Sequence, residues 1–367
     1  MLGLHIADIA AIAVYLVIVG GIGFWAAKKV KGLGDFVMPH KFGKFTMTMF
    51  SFGAGTHSDQ AVSVASKSFS TGISGIWYQW FWLFATPFYW LIAPLMRRFR
   101  ALTTADIYEA RFDTKVAKLY TFVGILQLSV AIGVMLKGSG AIIEACTEGQ
   151  FPTNWAIVAM TILFMVYGIS GGLAAAIYTD LIQGVLTVAF SFILLPQILN
   201  KVGGMDGLKA SLSPEFLSIT MPGDISVFYI AVIALCGIIG IAVQPHILGV
   251  CAAGKTEMDG RVGFVTGNFL KRICTIAWSL TGVAAIVYYT GQGITDPDQI
   301  YGVIAKEFLP QLMPGLVTQL EEELDLDVEV ANPFIGFEYK NESDKILLHK
   351  VGTKYIMALG LALRGVQ

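Results

Sequence analysis

The chain has 367 residues, of which 55% are hydrophobic and 14% charged, with a mean hydropathy of +0.67 and a formal net charge of −1. Soluble domains carry roughly a quarter charged residues, so this composition excludes an ordinary soluble globule and points to a membrane protein with many spans. The near-neutral balance and the lack of a Lys/Arg-rich arm give no footing for nucleic-acid binding.

Length and lack of charge mark eight apolar segments, at 6–27, 45–65, 73–96, 117–143, 155–169, 174–199, 226–250 and 263–290. No basic stretch precedes the first, so a cleaved signal peptide is not expected. Basic residues cluster in alternate connections: Lys28, Lys29, Lys31, Lys41 and Lys44 after the first segment, Arg97, Arg98, Arg100, Arg111, Lys115 and Lys118 after the third, and Lys255 and Arg261 after the seventh. The intervening connections hold only Lys67, Lys201, Lys209 and Lys306. That asymmetry predicts a multi-pass protein of the cell membrane with its N-terminus outside.

The second segment contains Ser51-Phe-Gly-Ala-Gly-Thr-His-Ser-Asp-Gln60. Its glycines weaken a helix, and Ser51, Thr56, His57, Ser58, Asp59 and Gln60 each need a polar partner, which hydrocarbon does not provide. A break here would offer backbone carbonyls near Gly53 and Thr56 to Na+, and Asp59 and Gln60 to a substrate or a proton. Helix–helix packing through small and hydroxyl residues would explain one such position. So many polar residues around two glycines favour a site.

The third segment is crowded with aromatics (Trp77, Tyr78, Trp80, Phe81, Trp82, Phe84, Phe88, Tyr89, Trp90) that read as lipid and interface anchors. Gln79, among them, is either a substrate contact or a partner for a neighbouring helix. Asp180 follows Gly171-Gly172 and could guide a cation; a capping acid is the plainer reading. Gly237, Gly240 and Gln244-Pro245-His246 predict unwinding in the seventh segment, with His246 as a packing residue. Lys271 and Arg272 are expected near the basic end of the eighth segment, where snorkelling would account for them. Cys146, Cys236, Cys251 and Cys274 have no metal or redox spacing. No nucleophile elbow, HExxH or Walker loop is present, so nothing supports an enzyme. Beyond Pro310 the chain turns polar and acidic, with Glu321-Glu322-Glu323, Asp325, Asp327 and Glu329, and residues 318–367 are expected to be a soluble tail.

Gly171-Gly-Leu-Ala-Ala-Ala-Ile-Tyr-Thr-Asp-Leu-Ile-Gln183 resembles the most recognisable stretch of the sodium:solute symporter family, with support from Ser51–Gln60, Tyr78-Gln-Trp80, Gln244 through Lys255, and Phe269-Leu-Lys271. The resemblance spans about 5–316. It implies an all-α, LeuT-like fold of two five-helix inverted repeats behind an extra N-terminal helix, and uptake of a small polar solute coupled to Na+. By position, it implies a sodium-site role for Gly53, Thr56 and Asp180, and a substrate-side role for Gln60 and Lys271. Gln79 stands where a sugar transporter has Glu, Trp82 where it has Ser, Ile239-Gly240 where it has a Tyr-Trp gate, and Cys236 where it has Asn; a hexose is therefore not expected.

The symporter pattern stops at about Val317, which predicts a membrane domain over 1–317 with two of the five helices of the second repeat, and hence impaired transport or a binding role without flux. Leu324-Asp-Leu-Asp-Val-Glu-Val-Ala-Asn-Pro-Phe334 and Ala358-Leu-Gly-Leu-Ala-Leu-Arg-Gly365 are similar to the C-terminus of the type IV pilus assembly protein PilM. That likeness suggests a fusion of unrelated segments, and the tail has no nucleotide-binding motif.

Overall fold

The computed structural model describes residues 6–29, 32, 36–56, 58–147, 149–221, 224–290 and 296–308. His57 and the tail at 318–367 lie outside the described residues. Among those described, the chain forms helices and no named strand: α1 (Ile6–Ala27), α2 (Lys44–Ala54), α3 (Ser58–Thr71), α4 (Trp77–Trp80), α5 (Tyr89–Arg98), α6 (Thr104–Arg111), α7 (Thr114–Cys146), α8 (Thr153–Lys201), α9 (Gly204–Ser211), α10 (Val227–Val243), α11 (Ile247–Ala252), α12 (Glu257–Tyr288) and α13 (Ile300–Phe308). Three stretches are long and apolar enough to cross a membrane as single helices: Thr114–Cys146, Gly171–Lys201 and Glu257–Tyr288.

Three of the expected segments are interrupted, each for a legible reason. The second parts into α2 and α3, with Gly55 closing α2 and the Thr56 N–H turning back to the Gly53 carbonyl at 2.9 Å. The seventh parts into α10 and α11 at Gln244-Pro245-His246, because Pro245 supplies no N–H and disfavours helix in the residue before it. Hydroxyls from elsewhere satisfy carbonyls freed there: Tyr120 donates to Val243 O at 2.7 Å and Thr104 to Pro245 O at 3.1 Å. The third is not one helix, as its unbroken apolar run suggested. It steps through 3-10 turns at Gly72–Ile76, Phe81–Leu83 and Thr86–Phe88, with Pro87 inside the last. The fifth and sixth segments, expected as separate spans, run into each other in α8 and bend at Gly172, whose left-handed φ of +56° and contact with the Phe36 carbonyl favour glycine.

The core is organised around α12, two-thirds buried over its apolar window (67%), against 6% for α7, which is one residue longer. Glycines pave the contact. A Cβ at Gly263 would lie 2.4 Å from Met47 Cβ, one at Gly267 2.5 Å from Thr48 O and 2.8 Å from Phe52 N, and one at Gly282 2.3 Å from Ala65 O. The backbones of α12 and the broken α2–α3 pair therefore touch, as small residues permit between membrane helices. Buried Phe52, Cys274 and Trp278 fill the space between them. Polar links fix the register: Ser68 to Ser279 at 2.9 Å, and Trp278 Nε1 to Ser191 Oγ on α8 at 2.8 Å.

The basic ends of the three interrupted segments are tied together. Arg97 donates to the carbonyls of Ala252, Gly254 and Lys255, and Lys255 N–H donates to Phe42 O at 2.7 Å. The aromatic third segment is only partly outward-facing. Tyr78, Phe84, Phe88 and Trp90 are exposed, whereas Trp77 is buried with its indole N–H on Ile219 O (2.7 Å) and Tyr89 stacks on Phe264. The anchoring role therefore fits the first four and not the last two.

Gly267→Ala is expected to destabilise the protein by at least about 1–3 kcal/mol, since the new methyl meets backbone on both sides. Gly133→Ala on α7, where a Cβ meets nothing within 4 Å, serves as the matched control. Thermal melts of the purified chain in detergent check this; equal melting temperatures for the two variants would contradict the packing described.

Candidate solute and cation site

The break between α2 and α3 gathers polar groups that lack partners. Ser51 Oγ, Thr56 Oγ1, Asp59 Oδ1 and Gln60 Oε1 are buried without a hydrogen bond among the described residues, and so is Gln79 Oε1 from α4. Unpaired buried oxygens are costly, roughly 1–3 kcal/mol each, so their concentration at one place makes it the candidate site for a ligand. The Gln60 amide nitrogen is used, donating to Gly55 O at 2.8 Å, and it holds the mouth of the break in shape. Asp59 sits in the first turn of α3, where the helix dipole favours a negative charge. Gly138 of α7 presses on it, since a Cβ there would lie 2.5 Å from Asp59 Cβ.

Opposite faces of the last turn of α2 meet groups of opposite charge. Gly53 packs on Asp180, whose Cβ and Cγ would lie 3.0 and 3.1 Å from a Cβ at that position. Two residues on, at about 200° around the helix, Gly55 faces the Lys271 ammonium, with Nζ 3.3 Å from the equivalent point. Lys271 also feels the charge of Asp59. The structure thus brings Gly53 to Asp180, and Gln60, Asp59 and Lys271 to the other side of the same turn.

Two expectations change in detail. The Gly53 carbonyl already accepts the Thr56 N–H, so the unpartnered oxygen that the turn offers a cation is the Thr56 hydroxyl. Lys271 and Arg272 do not snorkel: both are buried halfway along α12 (5% and 4% exposed). Their burial follows from α12 being the central helix, which the hydropathy of its own segment does not reveal. Arg272 is the residue the sequence left out of the site. Its Nη1 donates to Gln79 O at 2.7 Å, its own carbonyl accepts Trp80 Nε1 at 3.1 Å, and its Nε has no partner among the described residues. Its only sequence signal was an arginine inside an apolar run.

Ion pairs do not neutralise these groups. The three among the described residues, Arg98–Glu257 (3.0 Å), Arg261–Glu257 (3.3 Å) and Lys209–Asp206 (4.0 Å), lie away from the break. His246 sits in the second break and is exposed, which does not fit the packing role expected for it.

Comparison with known proteins agrees with this architecture. The profile of the sodium:solute symporter family matches residues 36–320, and that of the type IV pilus assembly protein PilM matches residues 310–366. The chain is similar to the sodium/glucose cotransporter of Vibrio parahaemolyticus (24% identity, covering 78% of this chain and 56% of the relative). It is similar also to sodium/glucose cotransporter 2 of Rattus norvegicus (28%; 59% and 33%) and to the sodium/pantothenate symporter of Haemophilus influenzae (25%; 85% and 67%). It thus spans about half the length, or less, of the first two. The fold matches a Na+-coupled sialic acid symporter in a substrate-bound outward-open state, with a TM-score of 0.70 at 15% identity over 99% of this chain and 81% of that one. The match over most of its length, together with paired helix breaks around an unsatisfied polar centre, makes this chain a member of the sodium:solute symporter family.

Proposed function

We propose that the protein couples inward movement of Na+ to uptake of a small polar solute across the cell membrane, with its N-terminus outside. The observation that carries this reading is the break between α2 and α3, where unpartnered oxygens face an acidic group on one side and polar and cationic groups on the other. Asp180, with Thr56 and the Gly53 turn, suits the cation: a carboxylate and neutral oxygens are the ligands that hard cations take. Asp59, Gln60, Gln79 and Lys271 suit the solute. Both breaks end helices within the bundle, and transporters hold ions and substrates at such half-helix ends near mid-membrane. Residues 318–367 are proposed as a soluble appendage.

The test is uptake by the full chain in proteoliposomes, using labelled glucose, pantothenate and sialic acid with an inward Na+ or K+ gradient. At least one solute is expected to accumulate about tenfold more with Na+, a difference of about 1.4 kcal/mol. Asp180→Asn should weaken the Na+ dependence, and Gln60→Ala the affinity for solute. Equal uptake in Na+ and K+ would contradict the proposal. Na+-dependent binding without flux would replace transport by a membrane binding protein.

A further inference from the structure

We infer that the solute is an anion, a hydroxylated carboxylate whose charge is met by Arg272. This rests on the proposed solute site and narrows its ligand class. Four ionisable groups occupy the centre, and they are not equally compensated. Lys271, with its ammonium against Gly55, and Asp59 feel each other's charge. Asp180 has no cation against it among the described residues, as a Na+ ligand would require. Arg272 is the converse case: a guanidinium 4% exposed, beside the like charge of Lys271, with no carboxylate paired to it among the described residues.

An arginine stays protonated in proteins, so burial cannot be relieved by losing the proton. A buried charge without a partner is unfavourable unless an anion completes it. The guanidinium is also held in place. Nη1 is fixed on the Gln79 carbonyl, and Trp80 clamps the Arg272 backbone from the same short helix. Nε remains unpartnered. A planar, pre-positioned guanidinium with a free N–H matches a carboxylate. Beside it, Gln79 Oε1 is an acceptor without a partner among the described residues, and Asp59 Oδ1 and Gln60 Oε1 lie toward the break. Acceptors of that kind call for hydroxyl donors on the same solute.

The test uses matched pairs that differ in the carboxylate: gluconate with sorbitol, lactate with propane-1,2-diol, and pantothenate with panthenol. Binding to the purified full chain in detergent is measured by calorimetry, in NaCl and in KCl. At least one carboxylate is expected to bind at least tenfold more tightly than its neutral partner in NaCl. Arg272→Met should abolish that preference, and Arg272→Lys, which keeps the charge, should retain part of it. If Arg272→Met fails to fold, the wild-type preference and Arg272→Lys still decide the matter. A neutral compound binding as well as its carboxylate partner, or no carboxylate binding at all, would overturn the inference. Na+-dependent binding of a neutral compound would overturn it while leaving Na+ coupling standing, whereas binding indifferent to Na+ would count against the coupling itself.

Discussion

The structure depends on the close approach of α12 to the broken pair α2–α3. Glycines at 263, 267 and 282 remove the side chains that would hold the backbones apart, and the bulk of Phe52 and Trp278 fills the gaps between these contacts. In a lipid environment helices gain little from hydrophobic contrast, so such packing and the interhelical hydrogen bonds of Ser68, Ser279, Ser191 and Trp278 supply cohesion. The same contact carries Lys271 and Arg272 into the interior, next to the break. Packing and polarity are therefore one arrangement: the helix that holds the fold together also delivers the cations of the site.

How far this could be read from the sequence depended on whether the signal was local. Ser51–Gln60 announced its break because glycines and polar groups within an apolar segment conflict with a straight membrane helix at every position. Gln244-Pro245-His246 did the same through the missing proline N–H. The 3-10 turns of the third segment were hidden, since Trp77 to Trp90 is dominated by aromatics and its steps follow from packing against neighbours such as Phe264 and Gly240; Pro87 was the one local sign. The bend at Gly172 was also hidden, because a glycine in an apolar run does not distinguish a kink from a connection. Arg272 was underestimated for a related reason. Whether a basic residue in a span snorkels or is buried is decided by how many helices surround it, and that is a tertiary fact.

The centre of the protein combines features that are unfavourable alone. Orphaned hydroxyls, orphaned amide oxygens and uncompensated charges each oppose folding in a medium of low polarity. Under the proposed function, their placement around a single turn of α2 would serve a cation on the Asp180 side and a polar solute on the Lys271 side. Ligands that bind the folded state then restore part of the lost stability by mass action. The ties at the basic end, from Arg97 to the carbonyls of Ala252 and Lys255 and from Lys255 to Phe42, join the three interrupted segments on one side of this centre. Any rearrangement that opens the site toward that end has to break them.

The most direct test of the central claim is the effect of Na+ alone on the stability of the purified chain. Melting temperature is measured in detergent in NaCl and in choline chloride of equal ionic strength, for the wild type and for Asp180→Asn. A site at one hundred times its dissociation constant adds about 2.7 kcal/mol, so Na+ is predicted to raise the wild-type melting temperature by several degrees and to leave Asp180→Asn unmoved. Identical melting of the wild type in the two salts would contradict a cation site at the Asp180 face of the break.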